Sequence, residues 1–236
     1  MNNRVTLGGY ELYIYILPLI ASNMYMIISD TEALIIDPIE NDEACELLKK
    51  KGIKTVKAIL THEHFDHISG VNMIRDLMAQ EGGMFTVYAN ANCSEAIKDP
   101  ASNLSRFFKA MFISRSEEEQ TLAEDIFHTE YSCEADISFE GDTQFRWKDI
   151  LLKIHSTPGH SPGSICIEMY NEAGQLMALA TGDSLVDGNR VITRLPRGSK
   201  RDYRNITRPY LESFPPDTLI LPGHGEIKRL KEFELG

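Results

Sequence analysis

Three observations predict an α/β protein. Between residues 33 and 89, short apolar runs rich in β-branched residues alternate with helical patterns in the order β, α, β, α, β, which is the rhythm of a sheet with helices on one face. Hydrophobic residues make up 42% of the 236, enough for a sizeable core in one large domain. From Asp136 onward, short strands separated by turn residues return; such mixed order is α+β in some schemes.

Residues 4–36 read as a meander, with strands at Tyr10–Leu19, Tyr25–Ser29 and Ala33–Ile36, the last ending at Asp37-Pro38. Asn41-Asp42-Glu43 then opens a helix through Ala44, Leu47 and Leu48, with Lys49, Lys50 and Lys51 in its last turn and Gly52 as its stop. A strand over 55–60 follows, then a helix from Ser69 to Met78 closed by Glu81-Gly82-Gly83, then a strand over Phe85–Ala89. Residues 94–132 interrupt the pattern as a helical insertion within the single domain 1–236. There Phe107, Phe108, Met111 and Phe112 lie at helical spacing, and Ser116…Glu119 has the form of a capping box for a helix through Leu122 and Ile126. Packing on the core is the favoured reading of that aromatic stripe; a lid or a homodimer contact is the other. Strands over Ile150–His155 and Ile165–Met169, a hairpin turn at Asn171–Gly174, and strands over Leu176–Ala180 and Thr218–Leu221 complete the chain.

Composition excludes several functions. A net charge of −11 disfavours a general nucleic-acid binder, which needs a basic face. No apolar run reaches the length of a membrane span, and the N-terminus lacks a signal-peptide core. Cys45, Cys93, Cys133 and Cys166 show no paired spacing, which argues against a disulfide framework or a cysteine zinc site. A soluble cytoplasmic protein with no nucleic-acid or membrane partner is expected.

The densest chemistry is Thr61-His62-Glu63-His64-Phe65-Asp66-His67, directly after the strand at 55–60. If the run stays extended, His62 and His64 leave the backbone on the same side. Asp66 and His67 then fall in the turn opening the next helix, within reach of a second point, so the spacing suits two neighbouring metals. The zincin pattern His-Glu-x-x-His is excluded, because Asp66 stands four residues after His62. His160, Asp183 and His224 share with His62 and Asp37 a place just beyond the end of an apolar strand, and the glycines beside several of them permit tight turns and close backbone approach.

Taken together, these positions resemble the motif series of the metallo-β-lactamase superfamily: Asp37, then His62, His64, Asp66 and His67, then His160, Asp183 and His224. The resemblance spans nearly the whole chain. It implies a four-layer αβ/βα sandwich with a dinuclear site at one edge. By the same resemblance, His62, His64 and His160 hold one metal, Asp66, His67 and His224 hold the other, Asp183 bridges them, and Asp37 orients the ligand turn from behind. Locally, Asp37-Pro38 also reads as a simple turn. Two Zn2+ are expected, with Fe or Mn as other candidates. Thr157–Ser164, Asp99-Pro100…Asn103-Leu104-Ser105 and Leu195–Ser199 are similar to the glyoxalase II branch, the hydroxyacylglutathione hydrolases. The glycine-arginine pair of those relatives is not evident. With about ten residues after His224, their helical C-terminal domain is not expected either.

Two zinc ions sharing a water lower its pKa to roughly 7 and supply a nucleophile for a carbonyl, with Asp66 and Asp183 as the catalytic carboxylates. A small-molecule anionic thioester fits, because a thiolate leaves with little acid help. The run Arg194, Arg197, Lys200, Arg201, Arg204, Arg208, opposed only by Asp202, follows Asp183 in an otherwise acidic chain. Arg194, Arg197, Lys200 and Arg201 are candidates to clamp the substrate's carboxylate or phosphate; a solvated helix face is the plainer alternative. The alternative activities are those of a persulfide dioxygenase with one iron, and lactonase or β-lactamase hydrolysis.

Overall fold

The computed structural model describes residues 3–128, 130–188 and 191–235. Seven strands form the first sheet in sequence order: β1 (Asn3–Leu7), β2 (Tyr10–Ile16), β3 (Asn23–Ser29), β4 (Glu32–Ile36), β5 (Thr55–Ile59), β6 (Met84–Asn90) and β7 (Ile137–Phe139). β1 to β4 pair antiparallel, and β4 to β7 pair parallel. The parallel part needs crossovers. Helices α1 (Asp42–Lys50), α2 (Phe65–Ile68), α3 (Val71–Gln80), α4 (Ala91–Ala96), α5 (Ser105–Phe108) and α6 (Glu117–Ile126) supply them. The second sheet runs in spatial order β13-β12-β11-β10-β9-β8, from β8 (Thr143–Trp147), β9 (Ile150–Ser156), β10 (Ile165–Tyr170), β11 (Leu176–Gly182), β12 (Leu219–Pro222) and β13 (Lys228–Arg229). Two short helices, α7 (Lys200–Asp202) and α8 (Arg208–Glu212), flank a five-residue π-helical turn, Tyr203–Thr207.

The strands alternate between two buried environments. Ala33 and Ile35 of β4 pack with Ala44, Leu48, Ile74 and Met78 under the helices, while Leu34 and Ile36 face Leu152, Ile167 and Ala180 of the other sheet. Leu179 and Ile220 turn outward again, against Leu211 and Phe233. The order is therefore helix, sheet, sheet, helix. Each fully buried aliphatic side chain contributes about 1.5–3 kcal/mol, so a strand with both faces covered is held in register from two sides.

Local signals set several element ends. The Asn41 side chain accepts from Ala44 N at 2.9 Å, Asp42 and Glu43 open α1, Lys49 and Lys50 close it, and Gly52 follows at φ 63°. The Ser116–Glu119 capping box is formed at the start of α6. Other ends differ from the sequence expectation. The strand foreseen to Leu19 stops at Ile16, because Leu19 and Ala21 take φ of 70° and 60° in a turn closed by Leu17 N donating to Ser22 O. The helix foreseen over Ser69–Met78 is α3, shifted to Val71–Gln80, and a separate one-turn helix, α2, precedes it at Phe65–Ile68. The two part at Gly70, where a Cβ would come within 2.2 Å of the Ile39 carbonyl oxygen. The aromatic stripe divides: Phe108 and Phe112 are buried against Phe127, whereas Phe107 and Met111 are exposed.

Candidate metal centre

β4 and β5 run parallel, as do β11 and β12, and β9 runs with β11 because both pair antiparallel with β10. The residues just beyond the C-terminal ends of these five strands are Asp37, the His62–His67 turn, His160, Asp183 and His224. They meet where the sheets are tied together: Ile165 N donates to Thr61 O, and Asn23 N to Gly223 O. Two glycines make the approach possible. A Cβ on Gly182, which sits at φ 47°, would lie 2.3 Å from Thr61 Oγ1, and one on Gly223 would lie 2.2 Å from Asp183 Oδ1.

Three groups of ligand-type atoms gather, each within 4.8 Å: His62, His64 and His160; Asp66, His67 and His224; and Asp37, His62 and His67. Asp183 lies between the first two groups. Its Oδ2 is 3.4 Å from both His160 Nε2 and His224 Nε2, and its Oδ1 is 3.3 Å from His67 Nε2. His64 Nδ1 stands 2.8 Å from His160 Nε2, and Asp66 Oδ2 stands 3.4 Å from His224 Nε2. All five histidines belong to a cluster of rings with centroids 4.3–5.1 Å apart.

Hydrogen bonds behind the rings orient them. A carbonyl or carboxylate oxygen can only accept here, so Nδ1–H of His160 donates to Ile192 O (2.8 Å), that of His224 to Ile20 O (3.1 Å), and that of His67 to Asp37 Oδ2 (3.0 Å). The Thr61 hydroxyl donates to Asp37 Oδ2 at 2.6 Å and so accepts from His62 Nδ1 at 3.0 Å. Each of these four rings thus turns Nε2 toward the centre, the arrangement that outer hydrogen bonds give to metal-binding histidines. Asp37 also accepts from Thr61 N at 2.6 Å, and its own φ of 53° is a conformation that Asp tolerates better than most residues.

Electrostatics divide the cluster. Burial, with neighbouring imidazoles, pushes His62 well below its ordinary range, lowers His64 to about 3, and lowers His160. Burial acts the same way on His67 and His224. There the carboxylates of Asp66 and Asp183 outweigh it, raising His67 well above its usual value and His224 to about 10. Burial pushes Asp66 and Asp183 up, yet the surrounding imidazoles outweigh it and hold both low. The centre therefore pairs two ionised carboxylates with positive charge, here carried by protons. His62 Nε2 and Asp183 Oδ1 are buried with no hydrogen-bond partner, an arrangement that costs free energy unless a cation accepts their lone pairs. The donor set fits divalent metal ions.

Glu63, which the sequence did not mark, is 1% exposed and accepts from the Ser161 hydroxyl at 2.7 Å, tying the ligand turn to the His160 loop. Its position between two ligands on an extended run, facing the opposite side, was the available signal. The basic run does not line a single cavity. Arg197 stands 3.7 Å from Glu63 and lines a cavity of about 500 Å³ with Asn90, Pro158 and Pro162, whereas Arg194 and Lys200 line another, of about 480 Å³. Arg201 lines neither. Arg197 itself takes φ 68°, in the turn between Arg194 and Lys200.

An αβ/βα sandwich with a His/Asp centre at one sheet edge defines a class of metalloproteins, and the comparisons agree with it. A family model described as the metallo-beta-lactamase superfamily matches residues 17–78. A probable metallo-hydrolase, YqgX, of Bacillus subtilis is 30% identical over 207 residues, covering 87% of this chain and 86% of that protein. The chain belongs to the metallo-β-lactamase superfamily. The mitochondrial persulfide dioxygenase ETHE1 of Homo sapiens is 24% identical over 195 residues, or 82% of this chain and 59% of that protein. Among solved structures, the BLEG-1 B3 metallo-beta-lactamase superposes with a TM-score of 0.68 at 26% identity, covering 94% of this chain and 95% of that one. TTHA1623 in a di-iron-bound form superposes at 0.67 with 21% identity, covering 93% and 95%, and bears on the fold. No helix among the described residues is long and apolar enough to cross a membrane.

Proposed function

We propose that this protein is a dinuclear metal-dependent hydrolase of thioesters, of the glyoxalase II type, with zinc as its metal. The observation that carries the proposal is the second ligand group: Asp66, His67 and His224 are gathered beside His62, His64 and His160, with Asp183 between. Two metal ions held there would polarise the substrate carbonyl and lower the pKa of a shared water to about 7.

The chain's own residues do the rest. Asp183 holds the two groups at a fixed separation. Asp66 accepts the proton of the attacking water and returns it to the departing sulfur, which needs little help because a thiol pKa is about 8.5. Asp37 and Thr61 keep His62 and His67 in the tautomer that presents Nε2. Neither Cys166 nor Ser164 competes as nucleophile. Cys166 is fully buried, its thiol pushed up to about 12 by that burial, and Ser164 is buried with its hydroxyl engaged by Ser161. Arg197, Arg194, Lys200 and Arg201 remain candidates to bind an anionic substrate.

A second reading, an iron-dependent persulfide dioxygenase, draws on the similarity to human ETHE1. Elemental analysis paired with thioester and persulfide assays separates the two. About two zinc per chain with thioester turnover supports the hydrolase. One iron, with persulfide oxidation that stops when oxygen is withdrawn, overturns it.

A further inference from the structure

Behind His160, on the side away from the centre, the cavity of about 480 Å³ is lined by Arg194, Lys200, Arg204 and Arg208 together with Tyr203 and Ile192. No carboxylate lines it among the described residues, although the chain carries 35 Asp and Glu against 24 Lys and Arg. Arg208 is engaged by Glu212 at 2.8 Å. Arg194, Lys200 and Arg204 make no ion pair with a described residue, and all three are exposed. Lys200, Arg204 and Arg208 recur every four residues along α7, the π-helical turn and α8. That spacing stacks like charges on one face, an arrangement that works against the helix unless an anion sits among them. π-helical turns are themselves common at functional sites. The three cations left without an ion-pair partner among the described residues exceed what one carboxylate can balance; a phosphate monoester, with charge near −2 and three acceptor oxygens, matches them better.

We propose that this cavity is a binding site for a phosphate monoester, held by Arg194, Lys200 and Arg204 beside Tyr203. The wall of the site carries the Ile192 carbonyl that receives His160 Nδ1–H, so an occupant sits one residue behind the metal centre. A phosphate on the thiol carrier of a thioester substrate is its source; that assignment rests on the proposed hydrolase reading, and the binding site does not.

The test titrates the metal-loaded full chain with adenosine 3′,5′-bisphosphate by calorimetry, with adenosine as the control. The bisphosphate binds and adenosine does not. The Lys200→Glu/Arg204→Glu double variant binds at least tenfold more weakly, and Asp66→Asn retains the affinity. Unchanged binding in the double variant, or loss of binding in Asp66→Asn, overturns the site, since the anion is then held elsewhere or by the metals. Circular dichroism of the double variant matching that of the parent chain excludes unfolding as the cause. For the source, KM is compared for an acyl phosphopantetheine and the same acyl pantetheine. A rise of at least fivefold in their KM ratio in the double variant supports the carrier; an unchanged ratio overturns that assignment and leaves the site. Absence of turnover of both by the parent chain overturns the hydrolase reading alone.

Discussion

Asp37 Oδ2 lies 3.0 Å from His67 Nδ1, with both side chains buried, and the same oxygen accepts the Thr61 hydroxyl that receives His62 Nδ1–H. One carboxylate at the end of β4 thus orients a histidine from each ligand group. Replacing Asp37 by Asn preserves the shape and removes the charge. Metal affinity is expected to fall by about 10–100-fold, the usual loss when such an outer partner is removed. Competition with a chromogenic chelator measures it, and an affinity equal to that of the parent chain would refute the orienting role.

Loss of His224 should empty one position and spare the other. His224 supplies Nε2 only to the group with Asp66 and His67, so His224→Ala is expected to lower metal content by about one ion per chain. Elemental analysis of the dialysed protein reads this directly. A variant retaining both ions, or losing both, would break the division into two groups.

Metal uptake should release protons. In the metal-free protein the Asp66 and Asp183 carboxylates raise His224 to about 10 and hold His67 well above its usual value, so this pair carries positive charge at pH 7 that leaves as protons when the nitrogens become ligands. His62, His64 and His160 are lowered and already neutral at that pH, contributing no proton. Binding two zinc ions at pH 7 is therefore expected to release at least one proton from this pair, with a further fraction from a metal-held water of pKa about 7, and affinity weakens as pH falls because protons compete for the same nitrogens. Calorimetry in buffers of different ionisation enthalpy gives the number. A binding heat independent of buffer would contradict this charge assignment.

Gly223 has no room for a side chain. An alanine Cβ would lie 2.2 Å from Asp183 Oδ1 and 2.8 Å from the Gly182 carbonyl carbon, and backbone cannot move aside as a flexible side chain can. Gly223→Ala should cost about 1–3 kcal/mol of stability, as overpacking of a filled interior does, and should displace Asp183. Thermal melting with and without zinc checks both parts: a lower Tm, and a smaller zinc-induced rise in Tm than in the parent chain. An unshifted Tm would show that the contact yields freely.

What the sequence determined by itself is whatever depends on near neighbours. The caps of α1 and α6 act over three or four residues, and the strand runs at 33–36 and 55–59 mark their own buried character through apolar, β-branched composition. The ligand types announced themselves as well, because histidine and aspartate just beyond strand ends are conspicuous in a chain with 7 histidines. Only the tertiary structure decided which nitrogen each ring presents. The acceptors behind His160 and His224 are backbone oxygens 32 and 204 residues away, and no local pattern specifies them. The same holds for the burial of Glu63 against Ser161, for the parting of Arg197 from Lys200, and for the division of the aromatic stripe at Phe107 and Phe108. Each of these follows from how two sheets and their covering helices pack, a cooperative property of the whole chain.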